Sequence, residues 1–230
     1  MPAILIDGKA VAARVRASLK DKVSALVLSG AKAPTLAVVL VGEDPASKIY
    51  VASKTKAAHE CGIATKDVHV SAEGTQDELL AVLTRLNLDP EVDGILLQLP
   101  LPKGFDEFSA LCAISPTKDV DGLHPLNQGL LMRGAAAPRP CTPHGSMLLI
   151  DEAMELLGRS KDLSGLTAVV IGRSVLVGKP MAQMLTERNC TTTIVHSRTK
   201  NLSQVCQSAD ILVAAIGKPA FVDASFIKAG

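Results

Sequence analysis

The strongest indication of the fold is the segment Ala168-Val-Val-Ile-Gly172-Arg-Ser-Val-Leu-Val-Gly178-Lys-Pro180. A Val-rich strand, a glycine turn and a helix start follow one another there, which is the order of a βα unit that binds a dinucleotide. Gly172 permits the tight turn, and Ser174 is small enough for close backbone approach. Gly178 and Pro180 open a helix whose first N–H groups can face a phosphate. Because the spacing departs from G-x-G-x-x-G, an ordinary βα turn without a ligand remains the alternative.

The end of the next predicted strand indicates which dinucleotide binds. An NAD site places Asp or Glu about 20 residues further on, where the carboxylate holds the ribose 2′-hydroxyl. Here that region reads His196-Ser197-Arg198-Thr199 and contains no acid. Together with Arg173, it offers cations and a hydroxyl to a 2′-phosphate. The sequence therefore predicts NADP as the cofactor.

Strand-like and helix-like segments alternate on both sides of this unit, which predicts an α/β fold with mainly parallel sheets. The predicted strands are 36–41, 66–70, 95–99, 167–171, 191–195 and 211–216. The predicted helices are 11–26, 45–60, one behind a capping box at 75–78, 142–158, 178–188 and 201–207.

Residues 115–143 break the alternation, because they are rich in Pro, Gly and Asn and show no sustained period. We therefore expect two domains, each with a sheet flanked by helices, the second of them Rossmann-like, with a cleft between them. The predicted bounds are 1–120 for the first domain, 121–145 for an irregular connection and 146–230 for the dinucleotide-binding domain.

Composition disfavours several classes of protein. The 230 residues carry a net charge of +1 and include four Phe, one Tyr and no Trp. This gives neither the basic footprint nor the stacking platform that nucleic-acid binding uses. Five widely spaced cysteines argue against disulfides, and the His spacing indicates no metal site. No apolar run suits a signal sequence or a membrane span, so we expect a cytoplasmic protein.

The one tyrosine lies near a lysine on the helix predicted over 45–60. Tyr50 and Lys54 are four residues apart, so they share a face, which Ser47 extends. We expect Ile49 and Ala52 to face the core on the opposite side. From spacing alone, the better explanation of Lys54 is that it is one of several lysines on a solvated helix.

Polar residues near predicted strand ends favour a binding site instead. Gln98 is an amide at the carboxyl end of an apolar strand, where open α/β sheets form their binding crevice. A buried amide needs hydrogen-bond partners, and the Lys54 ammonium is one candidate. Further on, Asp119 and Asp121 lie in a predicted loop, where they could cap a turn or accept paired N–H donors from a ligand.

These segments resemble, in the same order, the motifs of the bifunctional methylenetetrahydrofolate dehydrogenase/methenyltetrahydrofolate cyclohydrolase family. The resemblance covers the whole chain and is carried by VGEDPASKIYVASKTKA, DGILLQLPLP, KDVDGLHPLNQG, PCTPHG, VVIGRSVLVGKPM, HSRT and ADILVAAIGKP. It implies NADP-dependent oxidation of 5,10-methylenetetrahydrofolate, hydrolysis of the methenyl product to 10-formyltetrahydrofolate, and a homodimer. The first domain would bind folate and carry the catalysis.

The resemblance also implies a role for each matched position. Tyr50 and Lys54 would form the catalytic pair, with Gln98 orienting the lysine. Asp121 would hold the pterin edge. The full set of positions implied for catalysis and folate binding is Tyr50, Lys54, Leu97, Gln98, Leu99 and Asp121. The positions implied for NADP contact are Gly172, Arg173, Ser174 and Ser197.

One departure concerns the end of the chain. Sequences of that family continue past the region matching 226–230 with a strand, a Pro- and Gly-rich segment and a helix. We therefore expect a fragment or an abbreviated variant that lacks part of the floor under folate and nicotinamide.

Two alternatives to this function remain. One is another two-domain NADP-dependent oxidoreductase, of the shikimate or amino-acid dehydrogenase type, and the other is a non-catalytic dinucleotide-binding protein.

Overall fold

Residues 3–228 are described by the computed structural model. They divide into two units: residues 7–125 form the first, and residues 126–228 together with residues 3–6 form the second. Each unit contains a three-stranded parallel sheet with helices, as the alternation of segments predicts.

The first unit places its most apolar strand in the middle of its sheet. Its elements are α1 (Gly8–Leu28), β1 (Thr35–Val41), α2 (Pro45–Glu60), β2 (Ala64–Val70), α3 (Gln76–Leu88), β3 (Gly94–Leu97) and α4 (Glu107–Ala113). The strand order is β2-β1-β3, with both pairings parallel. Residues 37–41 are buried on both faces, which explains why this strand reads as an unbroken apolar run.

Helix α3 begins with the predicted capping box. The Glu78 N–H donates to Thr75 Oγ1 at 3.2 Å, and the Thr75 N–H donates to Glu78 Oε2 at 2.8 Å. Behind the cap, Leu79, Leu83 and Leu86 are buried against one face of the sheet. The capping prediction is confirmed, and the apolar spacing places the main core of this unit on the α3 side.

Asp93 and Thr35 join the start of β1 to the turn before β3. The Thr35 N–H donates to Asp93 Oδ2 at 2.8 Å, and the Asp93 N–H donates to the Thr35 carbonyl at 2.9 Å. This reciprocal pair, called here the Asp–Thr pair, closes the amino-terminal edge of the sheet between β1 and the turn before β3.

The second unit repeats the plan of the first. Its elements are α5 (Pro125–Met132), α6 (Cys141–Leu156), β4 (Thr167–Ile171), α7 (Gly178–Glu187), β5 (Thr191–Val195), α8 (Leu202–Cys206), β6 (Ile211–Ala214) and a 3₁₀ turn (Ala224–Phe226). The strand order is β5-β4-β6, again parallel with the first strand in the centre.

A second Asp–Thr pair occupies the equivalent position here. The Thr167 N–H donates to Asp210 Oδ2 at 2.9 Å, and the Asp210 N–H donates to the Thr167 carbonyl at 2.8 Å. Asp210 Oδ1 also accepts from Lys228 Nζ at 2.7 Å. The Lys228 hydrogen bond and the Thr167 N–H lower the pKa of the Asp210 carboxyl.

Two short helices differ from the sequence prediction. Helix α5 lies inside the stretch expected to be irregular, and helix α4 was not anticipated. Pro125 begins α5, and Asp106 caps α4 by accepting the N–H groups of Phe108 and Ser109. Helices of about two turns are too short to show a clear apolar period, so only their start signals were available.

The buried face of α2 also differs from the prediction. Ile49 is 71% exposed and Ala52 is exposed, whereas Ser47 and Val51 are buried. The expectation that Ile49 and Ala52 face the core is therefore wrong. Because α2 carries few apolar residues, its composition gives little indication of which side faces the sheet.

Candidate active site

Helix α2 carries the predicted catalytic pair and is capped at its amino-terminal end by Asp44. The Asp44 carboxylate accepts the Ser47 N–H at 2.8 Å, and Pro45 occupies the first helical position. This N–H bond lowers the pKa of the Asp44 carboxyl, which therefore stays charged at the positive end of the helix. The Asp-Pro signal is visible in the sequence, although sequence reasoning did not single out Asp44.

Lys54 reaches the residue that follows β3. Its Nζ donates to Gln98 Oε1 at 3.1 Å, and Gln98 is only 8% exposed. The other end of the amide is also engaged, since Gln98 Nε2 donates to the Leu99 carbonyl at 2.6 Å. The structure thus contains the lysine–amide contact that the sequence suggested, and both ends of the amide are held.

Tyr50 lies one helical turn before Lys54 and is 62% exposed. An exposed aromatic ring next to a half-buried lysine offers an apolar surface beside a proton donor. Ser47 does not extend this surface as expected, because it is buried beneath the helix. A flat, partly apolar ligand could contact Tyr50 and Lys54 together.

Leu97 and Leu99 lie on the opposite side of the strand from Gln98. Leu97 is 2% exposed and belongs to the core cluster under α3, and Leu99 packs against the same cluster. Successive side chains along a strand point to opposite faces, so Gln98 turns toward α2 while its neighbours turn away. The side chain of Leu97 is therefore committed to the core, and the ligand contact implied for it could come only from its backbone.

Asp121 follows a segment that extends the first sheet. The Ile95 N–H donates to the Lys118 carbonyl at 2.7 Å, and a parallel bridge pairs Ile95 with Asp119. Asp121 lies two residues beyond this bridge, in a turn, and is half-buried. The structure thus places Asp121 shortly after a segment that pairs with β3, the strand that ends just before Gln98.

Two residues that the sequence left unassigned hold this loop. Lys118 Nζ donates to the Leu86 and Asp89 carbonyls at 3.2 and 2.8 Å, at the end of α3. Asp119 is 3% exposed and accepts the His124 N–H at 2.9 Å. The first aspartate of the K-D-V-D-G motif therefore organises the loop, which settles the ambiguity between the two carboxylates for Asp119.

In the second unit, Gly172 lies where the three strands end. Its N–H donates to the Val195 carbonyl at 2.8 Å, and the Ala215 N–H donates to the Ile171 carbonyl at 2.7 Å. Gly172 has φ +120°, and a Cβ placed on it would lie 2.3 Å from the Ala215 carbonyl oxygen. Glycine is required here by both its backbone conformation and the close approach of the neighbouring strand.

Ser174 forms the start of α7 from within the turn. Its Oγ accepts the Val177 and Gly178 N–H groups at 3.1 and 3.3 Å, and its carbonyl accepts the Lys179 N–H at 3.0 Å. Pro180 has no N–H to offer. The expectation that the first N–H groups of this helix are open to a phosphate is therefore wrong, because Ser174 already accepts them.

The turn itself supplies the groups that an anionic ligand needs. Arg173 and Ser174 are exposed, and their N–H groups make no hydrogen bond to the described residues. Ser197 is also exposed and follows β5, which pairs with β4 up to Ile171 and Val195. Arg173, Ser174 and Ser197 thus lie just beyond the carboxyl ends of two paired strands, and their N–H, guanidinium and hydroxyl groups are donors that fit the phosphate groups of NADP.

An open groove of about 680 Å³ between α2 and β2 is a poorer candidate. Several of its polar side chains already have partners, since Lys48 pairs with Glu43 and Thr55 donates to Asp67 at 3.4 Å. Among residues 3–228, no group of three or more His, Cys, Asp and Glu could hold a metal ion. No helix in the same range is long and apolar enough to span a membrane.

Comparison with known proteins gives two family matches that cover most of the chain. Residues 6–121 match the family described as tetrahydrofolate dehydrogenase/cyclohydrolase, catalytic domain. Residues 140–230 match the family described as tetrahydrofolate dehydrogenase/cyclohydrolase, NAD(P)-binding domain. The two matched regions contain the Lys54–Gln98 contact and the Gly172 turn, respectively.

Similar proteins include several that are named bifunctional protein FolD. The chain is 51% identical to the bifunctional protein FolD of Sphingopyxis alaskensis, over 98% of this chain and 73% of that protein. It is 50% identical to the bifunctional protein FolD of Cereibacter sphaeroides, over 100% of this chain and 76% of that protein. The FolD crystal structure from Campylobacter jejuni matches with a TM-score of 0.91 and 43% identity, over 97% and 77%. The FolD crystal structure from Trypanosoma brucei, complexed with NADP cofactor and inhibitor, matches with a TM-score of 0.90 and 35% identity, over 100% of this chain and 77% of that chain. The chain belongs to the tetrahydrofolate dehydrogenase/cyclohydrolase family.

Proposed function

We propose that the protein oxidises 5,10-methylenetetrahydrofolate with NADP and hydrolyses the resulting 5,10-methenyltetrahydrofolate to 10-formyltetrahydrofolate. The observation that carries the proposal is the hydrogen bond between Lys54 and Gln98, which fixes a proton donor beside an exposed aromatic ring. Family membership supports both activities, and it disfavours the alternatives of an unrelated oxidoreductase or a non-catalytic dinucleotide-binding protein.

In the oxidation, this chain mainly has to hold its ligands. The methylene carbon lies between two nitrogens, whose lone pairs stabilise the cation that remains when a hydride leaves. When bound, NADP supplies the nicotinamide ring that accepts this hydride. Tyr50 would contact one face of the folate, and the Asp121 carboxylate would accept paired N–H groups from the pterin edge. Such positioning is the main contribution that a hydride transfer requires from protein side chains.

The hydrolysis needs proton transfer as well as positioning. Water adds to the methenyl carbon and loses a proton, and the bond to one ring nitrogen breaks as that nitrogen gains a proton. Lys54 would carry these protons, with one N–H committed to Gln98 and its other positions open to water or the folate nitrogen. Gln98 acts through the lysine by holding Nζ at one location.

The cofactor would bind at the carboxyl edge of the second sheet. Gly172, Arg173 and Ser174 form the turn, in which the Arg173 and Ser174 N–H groups make no hydrogen bond to the described residues. Ser197 lies just beyond the end of the neighbouring strand. The Arg173 guanidinium would pair with a phosphate, which fits NADP. We assign folate binding and catalysis to residues 1–120, NADP binding to 146–230, and the connection to 121–145.

We further propose a cytoplasmic homodimer that binds no nucleic acid. The cysteines are five, an odd number, and widely spaced, which supports a reducing compartment. The net charge of +1 supports the absence of a nucleic-acid surface. Analytical ultracentrifugation at micromolar concentration should give twice the chain mass. A sedimentation coefficient that corresponds to a monomer at all concentrations would refute the dimer.

The enzymatic proposal is tested by two separate assays on the purified chain. The first follows NADPH formation from methylenetetrahydrofolate and NADP, and the second follows the loss of methenyltetrahydrofolate without NADP. Both should proceed faster than in enzyme-free controls. NADP binding without turnover in either assay would instead support the non-catalytic alternative.

A further inference from the structure

The residues after β5 form a β-turn that is closed by its own members. The Thr199 N–H donates to the His196 carbonyl at 2.8 Å, and the His196 N–H donates to Thr199 Oγ1 at 2.9 Å. The Arg198 N–H donates to the His196 ring nitrogen Nδ1 at 3.2 Å. Three hydrogen bonds thus constrain four residues, which we call the 196–199 turn.

This turn leaves its two central side chains exposed. Ser197 and Arg198 are exposed, whereas His196 and Thr199 are half-buried and make the closing bonds. Because the Val195 carbonyl accepts the Gly172 N–H, the turn starts beside the Gly172–Ser174 segment. The exposed hydroxyl and guanidinium therefore lie at the same sheet edge as Arg173, with no carboxylate in the turn to repel a phosphate.

We propose that His196 and Thr199 are positioning residues that hold Ser197 and Arg198 for the 2′-phosphate of NADP and so set the preference for NADP over NAD. The inference rests on the proposed function, because it uses the same cofactor site. A preformed turn loses less conformational entropy on binding than a mobile one, so it increases the affinity for a ligand that contacts it. Only NADP carries the 2′-phosphate that would contact the turn, so the affinity for NAD does not increase.

The two positioning residues act through different atoms. The Thr199 hydroxyl oxygen accepts a backbone N–H that valine cannot accept, although valine has nearly the same shape. His196 uses the lone pair of Nδ1, so its ring proton lies on Nε2. An asparagine at position 196 can accept the same N–H, since its side chain commonly bonds the backbone two residues on.

The test compares Thr199→Val with Thr199→Ser and measures binding of NADP and NAD by titration calorimetry. We expect Thr199→Val to weaken NADP roughly five-fold, the usual effect of one lost hydrogen bond, with NAD unchanged. Thr199→Ser should restore NADP affinity. Likewise, His196→Leu should weaken NADP selectively and His196→Asn should not. Thr193→Val, at an exposed position on β5, the strand that precedes the turn, is the matched control and should change neither affinity.

Three outcomes would overturn the inference: equal loss of NADP and NAD affinity, unchanged NADP affinity in Thr199→Val, or no recovery in Thr199→Ser. Melting temperatures of all variants exclude a loss that comes from unfolding. Calorimetry does not depend on turnover, so failure of the unmodified chain in the folate assays counts against the proposed function and not against this inference.

Discussion

Lys54 Nζ lies 3.1 Å from Gln98 Oε1, and the opposite end of that amide is bonded to the Leu99 carbonyl. The second bond matters for the first, because it fixes which end of the amide faces the lysine. An amide held in this way presents an oxygen, not an NH₂ group, to the ammonium. The position of Nζ is therefore determined by the end of β3 as well as by helix α2.

Replacing Lys54 by methionine separates the two proposed activities. Methionine keeps the length of the side chain but cannot transfer a proton, so cyclohydrolase activity should fall about a hundred-fold or more. Dehydrogenase activity should persist in part, since hydride transfer requires mainly positioning. Steady-state assays of both reactions measure the difference.

The matched control is Lys56→Met, because Lys56 is exposed on the same helix and should be neutral in both assays. Equal loss of both activities in Lys54→Met, with folate still bound, would contradict the division of roles between the two reactions.

A double-mutant cycle tests whether Gln98 acts through Lys54. Gln98→Leu removes the acceptor of the Lys54 bond, and we expect cyclohydrolase kcat/KM to fall about ten-fold. In the Lys54→Met background the same substitution should cost little more, because residues that share one interaction are not additive. Full additivity in the four enzymes would mean that Gln98 contributes independently of the lysine.

Gly172→Ala should destabilise the second unit. The new Cβ would meet the Ala215 carbonyl oxygen, and the residue would keep φ near +120°, a conformation that side chains disfavour. We expect a loss of about 2 kcal/mol or more in the free energy of unfolding, measured with urea, and weaker NADP binding.

Gly129→Ala provides the control for that substitution, since Gly129 lies in helix α5 and a Cβ added to it would meet no described atom within 4 Å beyond its chain neighbours and the backbone of its own helix. Alanine there should stabilise the protein by about 0.5–1 kcal/mol. Similar unfolding energies for Gly172→Ala and the unmodified chain would show that the strand ends have room to separate.

The contribution of Asp210 should depend on pH. Lys228 and the Thr167 N–H lower the pKa of its carboxyl, so its stabilisation is present above the ordinary Asp pKa of about 3.9 and is lost as the pH falls through the lowered value. Asp210→Asn should therefore cost about 1 kcal/mol at neutral pH and progressively less in acid. Asp21→Asn, at an exposed position on α1, should cost nothing. A cost for Asp210→Asn that stays constant into acid would refute the ionic origin.

The sequence predicted elements best where one physical signal dominated. The apolar run of β1, the Thr75–Glu78 capping box and the strand–glycine–helix order around Gly172 all appear as expected. Helix α2 was placed correctly, but its buried face was not, since Ser47 rather than Ile49 packs inward. The side of α2 that faces the sheet depends on tertiary contacts, among them the Lys54–Gln98 bond, and no local sequence pattern encodes these contacts.

The candidate site shows the same limit. The lysine–amide contact could be inferred because a buried amide requires a partner. The role of Ser174 as a cap for α7 could not, because the same small residue also suits close approach of a ligand. Asp119 was likewise indistinguishable from Asp121 until the His124 N–H identified its partner. Short polar residues have several local uses, and only their three-dimensional neighbours select one.

The two Asp–Thr pairs give each unit its own reporter of local opening. The amide protons of Thr35 and Thr167 are both bound to an aspartate carboxylate at the start of a central strand. Each should exchange with deuterated solvent only when its own sheet edge separates. A ligand that binds one unit alone should slow one of these protons and leave the other unchanged. Hydrogen exchange at two threonines can thus reveal which half of the chain a folate or a dinucleotide stabilises.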